Sequence, residues 1–175
     1  MESLLSRLID PADLRPDLAT TVEASAGERA AIAGQLGLLG LETLTAELTI
    51  ERLPNGIVTV TGRVHADVTQ RCVVSLEPVE QTLDEEISRR FVPEGDHRAV
   101  PAVESVDVLA ESEDPPETFP PRGIDVGAVV LEQFVLGLDP YPRAPGVELP
   151  AEAIDPDAAS DSPFAVLKSL GHSKP

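Results

Sequence analysis

IVTVTGRVHADVTQRCVVSL, residues 57–76, alternates with the period of a β-strand. Val58, Val60, Gly62, Val64, Ala66, Val68, Cys72, Val74 and Leu76 are apolar or small, with Gln70 as the exception in that series. The intervening positions, from Thr59 through Arg63, His65 and Asp67 to Arg71, are polar. Successive strand side chains point to opposite faces, so this stretch is expected to have one dry face and one wet face. Its length exceeds an ordinary strand, and a bend or bulge is expected at Gly62.

Residues 44–52 carry the same signal. Leu44, Ala46, Leu48 and Ile50 alternate with Thr45, Glu47, Thr49 and Glu51. Asn55-Gly56 lies between the two runs and marks a hairpin. After Glu77-Pro78, residues 79–92 place Val79, Leu83, Ile87 and Phe91 four apart. That spacing fits a helix stripe or one face of a strand interrupted by Gln81, Glu85 and Arg89. A short Glu-Pro turn suits an antiparallel return, so a strand is the preferred reading.

Other elements must cover the dry face. Ser25-Ala26-Gly27-Glu28 has the form of a capping box, predicting a helix over 26–36 that ends at Gly37, with Ile32 and Leu36 facing inward. Asp125 suits an N-cap, with Ile124 and Val129 as a hydrophobic staple. The helix it starts, 126–138, is apolar nearly all round and is expected to lie buried across the dry face. Thr20–Ala24 suits a short strand. The fold class is therefore α+β: an antiparallel sheet with helices packed on one face, acidic loops and a short C-terminal helix. The organisation expected is an N-terminal arm (1–19), an α+β domain (20–141), an acidic Pro-rich tether (142–161) and a C-terminal docking helix or tail (162–175). Residues 94–117 are acidic and Pro-punctuated, a solvated loop in which 106–108 could add an edge strand.

The tail reads Ser162-Pro163-Phe164, with Leu167 and Leu170 completing a stripe at i, i+3, i+6. A turn this short needs a surface to fold against. Either it packs on its own domain, or Phe164, Leu167 and Leu170 bind a groove on a partner. Packing is the preferred reading.

Composition narrows the chemistry. The net charge is −18 with a sequence pI near 4.3, and aromatics make up only 3% of residues. Contacts to a phosphate backbone rely on Lys and Arg, so direct nucleic-acid binding is not expected. Such acidity serves solubility or suits a basic protein partner. With a single cysteine no internal disulfide is possible. No run reaches the length of a membrane span, so a cytoplasmic protein is expected.

No metal site is expected, since a structural zinc centre needs about four paired Cys or His ligands and Cys72 has Ser75 three residues later. Cys72 is expected to be a buried, inert thiol. His65, His97 and His172 belong to no constellation, and no nucleophile elbow or phosphate loop occurs. Glu85 and Glu86, as neighbours on a strand, would face apart. No catalytic residue or cofactor is expected, and a binding module is favoured over an enzyme.

Three segments carry a resemblance. VTGRVHADVTQRCVVSLEPV, GIDVGAVVLEQFVLGLDPYPRAPG and SPFAVLKSL, in that order and spacing, are similar to motifs of the bacterial DUF177 family, also called YceD, the large ribosomal RNA subunit accumulation proteins. The pattern resembles the alphaproteobacterial branch most. Where the family has Cys-x-x-Cys, this chain keeps only Cys72, so no metal site is carried over. The resemblance implies a role in accumulation or processing of 23S rRNA, in a family whose gene often neighbours that of a large-subunit ribosomal protein. It implies a role in ribosome biogenesis, and the acidic tracts add the expectation of protein–protein interaction with a basic ribosomal or assembly protein. A chaperone for one ribosomal protein and an rRNA-processing hydrolase are the rival readings; the latter would need clustered carboxylates for metal ions.

Overall fold

A computed structural model describes residues 4–14, 17–99 and 115–148. The hairpin stretch builds its centre. Strand β3 (Gly40–Arg52) pairs antiparallel with β4 (Val58–Arg71), and β4 with β5 (Pro78–Pro93). Strand β2 (Asp17–Glu23) extends the sheet on the β3 side, and the short parallel β6 (Glu117–Phe119) pairs with the end of β5. A second, two-stranded sheet joins β1 (Leu8–Ile9) to β7 (Ile124–Asp125). Helices α1 (Ala26–Leu36) and α2 (Val126–Gly137) complete the α+β fold.

The expected alternation holds. Leu44, Ala46, Leu48 and Ile50 of β3 and Val58, Val60, Val64, Ala66 and Val68 of β4 are all buried. Residues 79–92 form the return strand, and Leu83, Ile87 and Phe91 share the dry face. Two of the interruptions on that face, Gln81 and Arg89, have structural partners. Gln81 donates to the Gly137 carbonyl and accepts the Asp139 N–H, fastening the end of α2. Arg89 pairs with Glu132 of α2 at 3.3 Å and lies 3.7 Å from Glu117. Gln70, the polar exception in β4, donates to the Asp139 carbonyl.

Three expectations are corrected. No register shift occurs at Gly62; the irregularity lies between Leu41 and Thr43. The glycine instead lets β3 approach, because a Cβ there would strike the Glu47 carbonyl. The strand stops at Arg71, and residues 72–76 form a turn whose Leu76 has φ 64°. Helix α2 is not buried all round: Val126, Gly127, Val130 and Phe134 face the core, whereas Leu136 is 64% exposed. One helix on one face of a sheet can bury only one side of itself.

Both helix starts follow their sequence signals. Ser25 Oγ accepts the Glu28 N–H while Glu28 accepts the Ser25 N–H, and Gly37 closes α1 in the left-handed region at φ 68°. Asp125 accepts the Ala128 N–H at the start of α2, and also the N–H of Arg7 and the hydroxyl of Ser6. That carboxylate therefore anchors the N-terminal segment, whose Leu5 is fully buried. After α2 the chain bonds back to the body at Pro142, which accepts the Val73 N–H, and at Ala144, which donates to the Cys72 sulfur. The acidic loop around 106–108 and the C-terminal segment lie outside the described residues.

Candidate interaction surface

The wet face of the sheet is uncovered in the described structure. Pairing across β2, β3, β4 and β5 sets its side chains in rows. One row is Thr21, Glu47, Arg63 and Glu86, and the next is Ala19, Thr49, Thr61 and Ser88. The second row carries only small side chains. An open pocket of about 630 Å³ lies here, lined by Ala19, Thr21, Glu47, Thr49, Arg63 and Glu86 among others.

Charges on this face are unevenly balanced. Arg63 is held by two carboxylates, Asp84 at 2.9 Å and Glu86 at 2.7 Å, which raise its pKa through hydrogen bonding to Asp84 first. Asp67 accepts from Thr82 and Thr43, stitching three strands, and those hydroxyls hold its carboxyl below the ordinary range. His65 lies 3.9 Å from Asp67 and is exposed. On the β2–β3 side, Glu23, Glu47 and Glu51 make no ion pair among the described residues. Arg63 lies across from Glu47 but is held by Asp84 and Glu86, so the acids of this half are left without an ion pair and bias the surface towards negative potential. Glu85 and Glu86 do face apart: Glu86 joins the wet face and Glu85 lies beside Gly137.

At one end of the sheet, β4 passes into a turn over Cys72–Glu77 that leads to β5. Cys72 is fully buried and free, as expected, but its sulfur does more than pack. It accepts N–H groups from Val74 (3.4 Å), Ser75 (3.3 Å) and Ala144 (3.4 Å). The Ser75 hydroxyl, the Ser75 and Ala144 amides and, more weakly, the Val74 amide pull the thiol down to about 6, overcoming the opposing effect of burial. The sequence signals for this arrangement were weak: Ser75 was legible as a neighbour, while Ala144 lies far along the chain. The Val73 N–H bonds the Pro142 carbonyl, so the segment after α2 straps this turn.

The strapped turn carries an apolar rim. Leu76 and Tyr141 are 62% and 69% exposed, and Val73, whose N–H bonds the Pro142 carbonyl, is 47% exposed. Leu76 is the sole non-glycine residue at positive φ among the described residues. A left-handed backbone suits Gly or Asn and disfavours a branched side chain. Among the described residues no group of three or more His, Cys, Asp or Glu is placed to hold a metal ion, and no helix is long and apolar enough to cross a membrane. Phe164, Leu167, Leu170 and His172 lie outside the described residues; His97 is exposed in a short loop.

Comparison with known proteins adds a family. The pattern described as "Large ribosomal RNA subunit accumulation protein YceD" matches residues 60–171, most of the chain, from near the start of β4 past Leu170. No curated protein and no solved structure matches. The matched span contains the strapped turn, α2 and the terminal motif together. On the strength of that match, the chain belongs to the YceD family of large ribosomal RNA subunit accumulation proteins.

Proposed function

We propose that this chain supports 23S rRNA accumulation and large-subunit assembly without catalysing a reaction, by holding a basic ribosomal or assembly protein on its open sheet face. Family membership supplies the ribosomal context. The observation that supports the mode of action is the group of exposed carboxylates Glu23, Glu47 and Glu51 on the β2–β3 side of the sheet, none of which makes an ion pair among the described residues; Arg63, across from Glu47, is taken by Asp84 and Glu86. A phosphate backbone would be repelled there, whereas Lys and Arg side chains would be attracted. The small side chains of Ala19, Thr49, Thr61 and Ser88 give a segment of such a partner room to lie close to the sheet.

The same face favours a narrower form of this reading, in which the chain is a chaperone for one basic ribosomal protein. Shielding a cationic protein before it meets rRNA would prevent its misplacement on other polyanions. A tagged full-length chain, purified at low salt and analysed by mass spectrometry, tests both. A basic large-subunit protein should co-purify and be released by high salt. Depletion should lower 23S rRNA relative to 16S. Unchanged subunit profiles, or cleavage of precursor rRNA by the purified chain with Mg²⁺, would overturn the reading.

A further inference from the structure

The rim at the strapped turn presents a problem that the described fold does not solve. Leu76 stands in a left-handed conformation that glycine would adopt more readily, and its side chain is 62% exposed. Neither the backbone nor the described core gains from a leucine there. Tyr141 and Val73 are exposed on the same turn-and-strap unit, which the bond from the Val73 N–H to the Pro142 carbonyl holds together. Large apolar side chains grouped on a fixed unit mark a surface that something covers.

The course of the chain indicates the occupant. Ala144 is pinned to the Cys72 sulfur, Val147 closes a turn back to Ala144, and the described chain ends at Glu148. The last described contacts of the chain thus lie on the unit that carries the rim. Residues 149–161 follow, and after them comes SPFAVLKSL, the apolar stripe that nothing described so far uses. Only thirteen residues separate Glu148 from Ser162, and a chain of that length spans roughly 20 Å, short enough to keep the stripe at millimolar effective concentration near Glu148. Charge agrees with this path. Arg71 and Arg143 are exposed at this end, and the intervening segment carries Glu152, Asp155, Asp157 and Asp161.

We propose that Phe164, Leu167 and Leu170 dock in cis on the rim formed by Val73, Leu76 and Tyr141. The surface is then an internal seat for the C-terminal motif, distinct from the acidic sheet face. The proposal does not depend on which partner that face takes.

Tyr141 is the single tyrosine of a chain without tryptophan, so its emission reports on the rim directly. In the full-length chain, acrylamide should quench Tyr141 less than a free tyrosine amide. Phe164→Ala should lose that protection, as should Leu76→Gly, which leaves the core intact. Protection should not vary with protein concentration. A benzophenone amino acid placed at position 164 should crosslink within the same chain, to the segment around Val73–Leu76 or Tyr141. Free quenching in the full-length chain, or equal quenching in the variants, would overturn the proposal. So would crosslinks confined to a second copy, to another protein or to a different part of the chain.

Discussion

The sulfur of Cys72 accepts the backbone N–H of Ala144 at 3.4 Å, joining the turn after β4 to the strap after α2. With the amides of Val74 and Ser75, it makes one buried atom the acceptor for three donors. Removing that acceptor leaves part-buried N–H groups unmet, which adds to the loss of a methyl-sized contact. Cys72→Ala should lower the melting temperature by several degrees, and Cys72→Ser by less, since a hydroxyl still accepts. A Cys72→Ala chain that melts like the parent would contradict this assignment.

The thiol also makes a pH prediction. Its pKa falls from an ordinary 9.0 to about 6 on folding. A group depressed in the folded state contributes stability that is fully present above its unfolded value and is lost as pH falls through its folded value. The stability difference between the parent and Cys72→Ser should therefore grow from pH 6 towards pH 9. Ultraviolet thiolate absorbance should titrate near 6 in the native chain and near 9 after unfolding. Reaction with a thiol reagent should nonetheless be slow in the native chain, because the residue is fully buried. A native titration near 9 would refute the account of the Ser75 hydroxyl and the three amides lowering the thiol's pKa.

Glu28 behaves similarly at lower pH. Arg7 holds it at 2.8 Å, and the hydrogen bonds from Arg7, then from the Ser25 backbone and hydroxyl, bring its pKa from 4.5 to about 2. This contribution is present above about pH 4.5 and disappears as pH falls through about 2. Glu28→Gln should destabilise the chain at neutral pH, and the gap to the parent should close across that acid window. A constant gap in pH-dependent melting would count against the pairing. Because Arg7 is partly exposed, the effect should be modest.

Gly127 sits where α2 crosses the N-terminal segment. A Cβ there would meet the Arg7 amide nitrogen and the Leu5 carbonyl oxygen, each at 2.8 Å. Both contacts are backbone, so relief requires moving the segment that buries Leu5. Gly127→Ala should cost about 1–3 kcal/mol in denaturant unfolding. Val130→Asp, which places a carboxylate in the core without a partner, should cost several kcal/mol. Parent-like unfolding of either variant would mean that α2 is misplaced.

Leu76 offers the opposite sign. Replacing it by glycine removes a left-handed strain of about 1 kcal/mol and gives up little described burial. Offset by greater freedom of the unfolded chain, Leu76→Gly should leave thermal stability level or slightly raised. A loss of several degrees would show that Leu76 packs more tightly than its exposure indicates.

The elements that were legible in the sequence are those fixed by local chemistry. Alternation through 57–71, Asn55-Gly56, the Ser25–Glu28 box and Asp125 each set a period, a turn or a cap within a few residues. Family membership was legible through motif order, and the match over 60–171 agrees. What escaped was non-local. Nothing near Leu5 signals that it is buried under α2 by way of Asp125. Cys72 could be read as buried, but its bond to Ala144 depends on how the strap returns across the turn. The apolar run of α2 was read as burial all round, although the sheet covers only one side and leaves Leu136 in solvent. The site is legible to a similar degree: the wet face follows from alternation, whereas its rows depend on registers across four strands.

The open acidic face is the central claim, and charge reversal tests it most directly. A full-length Glu47→Lys/Glu51→Lys variant keeps the core intact, since both residues are exposed on β3. It should be expressed in cells depleted of the parent chain, and the ratio of 23S to 16S rRNA measured beside the co-purified proteins. The account predicts a stably folded variant that no longer holds a basic large-subunit protein and fails to restore 23S rRNA. Full restoration of 23S rRNA by this variant would contradict it.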